Sequence, residues 1–210
     1  MTVPGRVEAA ELLLSLDPPA WLFRHLRAVA EVAGWLATRI DGRGERIDRG
    51  LVEAAALLHD ADKALRPADP VGSLPHGDGS AAWLVRLGHP ELAGPVAAHP
   101  VTRLLDADTT DRLLASPLEV LVVAYADKRA GQRLEPMADR FGSWRRRYPN
   151  SWSAAEAASV EERAGRLERL VCAAAGVLPD EVRRLAWTGP AVRRAVAARS
   201  TGIASKRAAG

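Results

Sequence analysis

At 210 residues, 48% of them apolar and 26% charged, the chain can enclose one core and is too short for two ordinary domains. This composition excludes disorder of the whole chain, and the single cysteine, Cys172, excludes an intramolecular disulfide and reads as a small buried apolar residue in a reducing compartment. The formal charge of +3 is small; much of the excess follows Glu181, where arginines and lysines continue to Gly210 without an acid, as in a solvated or frayed terminus.

The opening MTVPGRVEAAELLLSL has acids inside its apolar stretch and neither a basic leader nor a small-residue cleavage site, so no secretion signal is expected. Leu22, Leu26, Val29, Ala33, Leu36 and Ile40 then recur at i, i+4, i+7 spacing and predict a long amphipathic helix. A loop is expected over 41–48. The apolar run 54–58 ends in the doublet His59-Asp60, and further loops are expected over 64–75 and around 100–108. Ser116-Pro117-Leu118-Glu119 places a capping serine before Val120–Ala126, which makes that run a helix rather than a buried strand. Ser153 with Glu156 repeats the capping signature, and Asp180-Glu181 starts a short helix after Pro179. Alternation of period two is nowhere sustained, so the fold class is all-α. The six tryptophans are scattered along helices, where core packing is the default. The longest apolar run, 120–126, is far short of the roughly 20 residues of a membrane span, and a cytoplasmic protein is expected.

Four of the five histidines stand where burial is costly unless they are occupied. His59 and Asp60 follow one apolar run and Asp127 follows another, so both carboxylates emerge into the interior, where an ionised group must be paired or metal-bound. His25 shares a stripe with Trp21, Ala28, Val32 and Trp35 and points inward. Successive side chains on a helix stand about 100° apart, so His59 and Asp60 can share an ion only at a helix C-terminus, which the following Ala-Asp-Lys and proline-containing stretch supplies. Imidazole with carboxylate suits one or two divalent transition-metal ions: iron, manganese, cobalt, nickel or zinc. His89 starts a helix and is left out. The glycines of His76-Gly77-Asp78-Gly79 follow no strand and form no phosphate loop; they shape a helix entrance.

The ordered set His25, His59-Asp60 and Asp127, in the contexts LLHDADK and VVAYADKR, resembles the HD-domain superfamily of metal-dependent phosphohydrolases. His76 in Leu-Pro-His-Gly and His99 in Ala-Ala-His-Pro fall where superfamily members that bind two metals have further ligands, giving six: His25, His59, Asp60, His76, His99 and Asp127. The resemblance is closest to the bacterial symmetrical diadenosine-tetraphosphatase group, from about Trp21 to Arg133, including Lys63 and Arg133. The sequence after His99 continues Pro-Val-Thr-Arg and lacks the Gly-Tyr-Pro element of the cyclic-di-GMP phosphodiesterases.

The resemblance implies an HD-domain helical bundle over 1–148 with a helical extension and basic tail over 149–210. It implies hydrolysis of a phosphoester or phosphoanhydride of a nucleotide-type substrate by a metal-activated water, with Asp60 bridging if two ions are present. Lys63 is read as balancing charge on the substrate, with Arg133 as a substrate ligand; Lys128 and Arg129 are read as solvated. Two alternatives stay open: a catalytically silent module binding nucleotide or RNA, and a phosphodiesterase acting on nucleic-acid ends. No membrane partner is expected, and the oligomeric state is left open.

Overall fold

The computed structural model describes residues 3–66 and 68–208, with backbone alone from 201 onward. Among the described residues it holds ten α-helices and no strand, only one isolated bridge between Ala130 and Leu134. The fold class is all-α, as expected. None of these helices is long and apolar enough to cross a membrane.

Three helices form the centre: α2 (Ala20–Asp41), α3 (Arg49–Leu58) and α7 (Leu118–Arg129), each packed on the other two. Helix α1 (Arg6–Ser15) lies on α3. The apolar face expected on α2 is fully buried at Leu22, Leu26, Val29, Ala33, Leu36 and Ile40. In α7 burial extends all round, from Leu121 to Arg129, because α2, α3, α5 (Ala93–Ala98) and α9 (Ala154–Ala175) surround it. Helix α4 (Asp78–Arg86) packs on α5, and α6 (Ala107–Leu114) and α8 (Met137–Arg147) flank α7.

The core is one cluster running from Ala9 to Ala195, so α9 and α10 (Thr188–Ala208) share the interior of the first half. Cys172 is buried on α9, with its Sγ 3.5 Å from the Tyr125 hydroxyl. The segment before α10 reaches back to α2. Trp187 Nε1 donates to Ala30 O at 3.1 Å, and the buried Glu31 carboxylate accepts from Thr188 Oγ1 and Arg184. Beside it the buried Glu53 is held by Arg6 at 2.5 and 2.6 Å. Gly34 makes room where Trp187 crosses: a Cβ there would stand 3.0 Å from Trp187 Nε1 and 3.1 Å from Glu53 Oε1, a tight fit on buried neighbours.

Several local expectations are corrected. Ser116 is not the cap of α7: its hydroxyl donates back to Arg112 O, closing α6, while Pro117 holds the cap position and Glu119 accepts from Asp48 N. The loop expected around 100–108 contains a 3-10 turn, Val101–Leu104, and ends when the Asp106 carboxylate accepts from Thr109 N to start α6. The loop over 64–75 likewise contains a 3-10 turn, Pro70–Ser73. The Ser153–Glu156 box caps α9 as expected. Among the tryptophans, Trp83 and Trp187 are core residues, but Trp21 in the first turn of α2 is 47% exposed.

Candidate metal centre

The six expected ligands come together from five parts of the chain. His25 lies in the second turn of α2, with Nδ1 2.6 Å from Gly131 O. Helix α3 stops at Leu58; His59 is its C-cap, with Nδ1 2.8 Å from Ala56 O. Asp60 then leaves helical geometry (φ −102°, ψ 23°), and this break carries its carboxylate round to the side His59 occupies. His99 repeats the device at the C-cap of α5, with Nδ1 2.6 Å from Val96 O. His76 precedes α4, with Nδ1 2.9 Å from Asp62 Oδ2, which also accepts from Gly77 N. Asp127 sits in the last turn of α7.

Gly77 has φ 86°, and a Cβ there would lie 2.7 Å from Pro100 Cγ, so only glycine lets the His76 turn lie against the chain just after His99. Each of the four Nδ1 atoms faces a group that can only accept, three backbone carbonyls and one carboxylate. Each therefore carries a hydrogen and leaves Nε2, aimed inward, as the atom that can ligate once it is free of a proton.

These Nε2 atoms meet in two groups that share Asp60. On the Oδ2 side, His25 Nε2 is 3.3 Å and His59 Nε2 3.6 Å from the carboxylate, and the two nitrogens are 3.2 Å apart. Asp127 Oδ1 joins them at 3.4 and 3.7 Å. On the Oδ1 side, His76 Nε2 and His99 Nε2 are at 3.2 and 3.3 Å, and 3.2 Å from each other.

Ligands about 2.1 Å from a first-row ion stand roughly 3.0 Å apart at right angles and about 3.4 Å apart in a tetrahedron. The observed spacings are those of such a shell. Buried Asp60 Oδ1 has no hydrogen-bond partner, and imidazole nitrogens 3.2 Å apart need a proton or a metal cation between them, so the donor set fits metal on both sides.

The electrostatics agree. Burial pushes the Asp60 carboxyl up, but His59, His25, His76 and His99 outweigh it and hold it well below the usual range. Asp127 is likewise held low, against burial, by His25, His59 and Lys128. Burial disfavours a charged His25, yet Asp127 and Asp60 raise it to about 9; His76, also against burial, is raised to about 9 by Asp60 and Asp62. His99 goes the other way, to about 4, under burial and the neighbouring His59.

Two cations differ from their sequence reading. Lys128 is fully buried, donating to His99 O at 2.7 Å and Ala124 O at 3.1 Å, with Asp127 Oδ2 3.8 Å away. Arg129 is buried too, bonded to the Tyr125 hydroxyl, Glu135 O and Pro179 O. Both heads are spent on partners inside the protein, Lys128 with no exposure and Arg129 with 5%, so the expectation of solvated groups is corrected. Lys63 stands at the cleft with Nζ 2.7 Å from Asp60 Oδ2 and a side chain 40% exposed. His89 lies outside the cluster, as expected.

A cleft of about 530 Å³ opens on His25 and Asp60, and Lys63, Arg133, Arg140 and Arg147 line it with Trp21, Trp144 and Tyr148. Arg140 reaches to 3.9 Å from Asp127 Oδ1 and lies over the Trp144 ring at 4.5 Å. Sequence reasoning passed over this α8 face and over Asp62. The signal for Asp62 was its place two residues after the doublet. For α8 the pattern of arginines and aromatics could not be told from a solvated face.

The family model described as the HD domain matches residues 22–131, just over half of the chain. The chain belongs to the HD domain family. All six converging residues lie within the matched segment, while α8, α9 and α10 lie beyond it. No curated protein and no solved structure matches this HD domain chain.

Proposed function

We propose that this HD domain protein is a metal-dependent phosphohydrolase that cleaves a phosphoester or phosphoanhydride of a nucleotide-type substrate, in the manner of the symmetrical diadenosine-tetraphosphatase group. The observation that carries this reading is the Asp60 carboxylate, which turns one oxygen to His25 and His59 and the other to His76 and His99. In this reading His25, His59, Asp60 and Asp127 would hold one divalent ion, and His76, His99 and Asp60 would hold a second. Ions so held would supply Lewis acidity and lower the pKa of a water toward neutrality.

The chain's own residues do the rest. Imidazole rings fixed through Nδ1 cannot turn, so the site is preorganised before substrate arrives. Lys63 and Arg133 face the cleft and meet the phosphoryl oxygens as charge builds on them. The water oxygen bonds to phosphorus as the bond to the leaving oxygen breaks; one hydrogen of the water stays with the new phosphate hydroxyl and the other ends on the leaving oxygen. The free cations and exposed aromatic rings beside the centre favour a substrate with both phosphate and a planar group.

The test is a panel of dinucleoside polyphosphates, nucleotides, cyclic dinucleotides and short RNA, assayed with manganese, iron and cobalt and with chelator. Turnover that requires metal and disappears in Asp60→Ala, with helical content unchanged, is the expected result. Full metal occupancy without turnover on any phosphoester would favour a silent binding module instead.

A further inference from the structure

Beyond the cleft lies a second hollow of about 570 Å³, lined by Trp144, Tyr148, Trp152, Pro149 and Val101 and by one cation, Arg145. Trp144 and Tyr148 line both spaces, so the aromatic hollow adjoins the cation-rich one at these two rings. Tyr148 is 56% exposed at this junction, so its ring is open to a stacking partner. Arg133 and Arg147 have no acidic partner among the described residues, and both border the first space. Unpaired guanidinium groups followed by stacking faces match a molecule that is anionic at one end and flat at the other.

We propose that the second hollow is a base subsite: the planar ring of a nucleoside phosphate stacks among Trp144, Tyr148 and Trp152 while Arg133 and Arg147 hold the phosphate chain leading to the metal centre. The inference rests on the phosphohydrolase reading and adds to it the part of the substrate that is recognised and the residues that recognise it. Stacking tolerates any planar base, so discrimination lies between nucleosides and base-free phosphates rather than among the four bases. The α8 face, which lies outside the matched family segment, then sets substrate choice.

Tryptophan fluorescence of the metal-loaded protein, titrated with adenosine monophosphate and separately with ribose 5-phosphate, tests this without any turnover. The nucleotide should bind on the order of tenfold more tightly. That ratio should collapse in Trp152→Leu and, independently, in the exposed-site variant Tyr148→Ala, with metal content at the wild-type level in both. Equal affinities in the wild type, or a ratio kept in both variants, overturns the subsite. If metal-dependent hydrolysis of phosphoesters is present when the ratio is absent, only the subsite fails. If neither ligand binds and no phosphoester is hydrolysed, the phosphohydrolase reading fails with it.

Discussion

Lys128 Nζ donates to the backbone carbonyl of His99 at 2.7 Å from a position with no solvent exposure, tying the helix that carries Asp127 to the end of the helix that carries His99. Replacing it with methionine keeps most of the volume but leaves the carbonyl unpaired and removes a cation from beside Asp127. Lys128→Met should cost roughly 1–3 kcal/mol and lower metal content on the His76–His99 side. Urea denaturation with elemental analysis checks this. Unchanged midpoint and metal content would show the contact to be incidental.

His76 and His99 face one oxygen of Asp60, and His25, His59 and Asp127 gather at the other. In the double variant His76→Ala/His99→Ala, bound metal should fall from about two ions to about one, because the other ligands remain in place. Activity should fall much further than binding of the remaining ion. One ion in both proteins, with hydrolysis little altered, would remove these histidines from the ligand set.

The metal-free centre also holds protons. With His25 and His76 each raised to about 9, both are charged at pH 7, whereas His99, lowered to about 4, is already neutral. Metal capture at pH 7 must therefore displace protons, and affinity should rise with pH until about 9. Because these two folded-state values lie above the ordinary 6.5, the same groups stabilise the metal-free protein below that pH and stop doing so as pH passes 9. Calorimetry in buffers of different ionisation enthalpy reads the protons released; an apparent enthalpy independent of buffer contradicts the expectation.

Trp187 is 5% exposed and spans from the segment before α10 to Ala30 O on α2. Its replacement by alanine should destabilise the protein by about 3–5 kcal/mol, through the cavity and the lost support behind Gly34. A change under about 1 kcal/mol in a denaturant titration would show that the segment packs loosely.

What could be read from sequence followed from rarity. Histidines are few here, and a histidine or aspartate on an apolar face or at the end of an apolar run has no inexpensive place to go, so His25, His59, Asp60 and Asp127 stand out as candidate ligands, whereas His76 and His99 follow only from the family resemblance. Glu31 interrupts the apolar stretch from Ala28 to Gly34 in the same way, and it is buried against Arg184 and Thr188, partners that lie too far along the chain for local pattern to reveal. Lys128 and Arg129 were misread because the number of neighbours around α7 is a tertiary fact, absent from local periodicity. Ser116 failed as a cap because the preceding helix claimed its hydroxyl first. The face formed by Arg140, Trp144 and Arg147 acquires meaning only once α8 is laid beside His25 and Asp60.

The bond between Thr188 and Glu31 joins residues 157 positions apart. Until that span closes, α2 presents a carboxylate and the groove at Gly34 to water, and the helix that bears His25 lacks its backing. Closure of so long a loop comes late in folding, because its entropy must be surrendered before the contact gives anything in return. By that measure the helix from which His25 projects gains its backing only from residues more than a hundred and fifty positions further along the chain, so the candidate metal centre is tied to the far end of the fold.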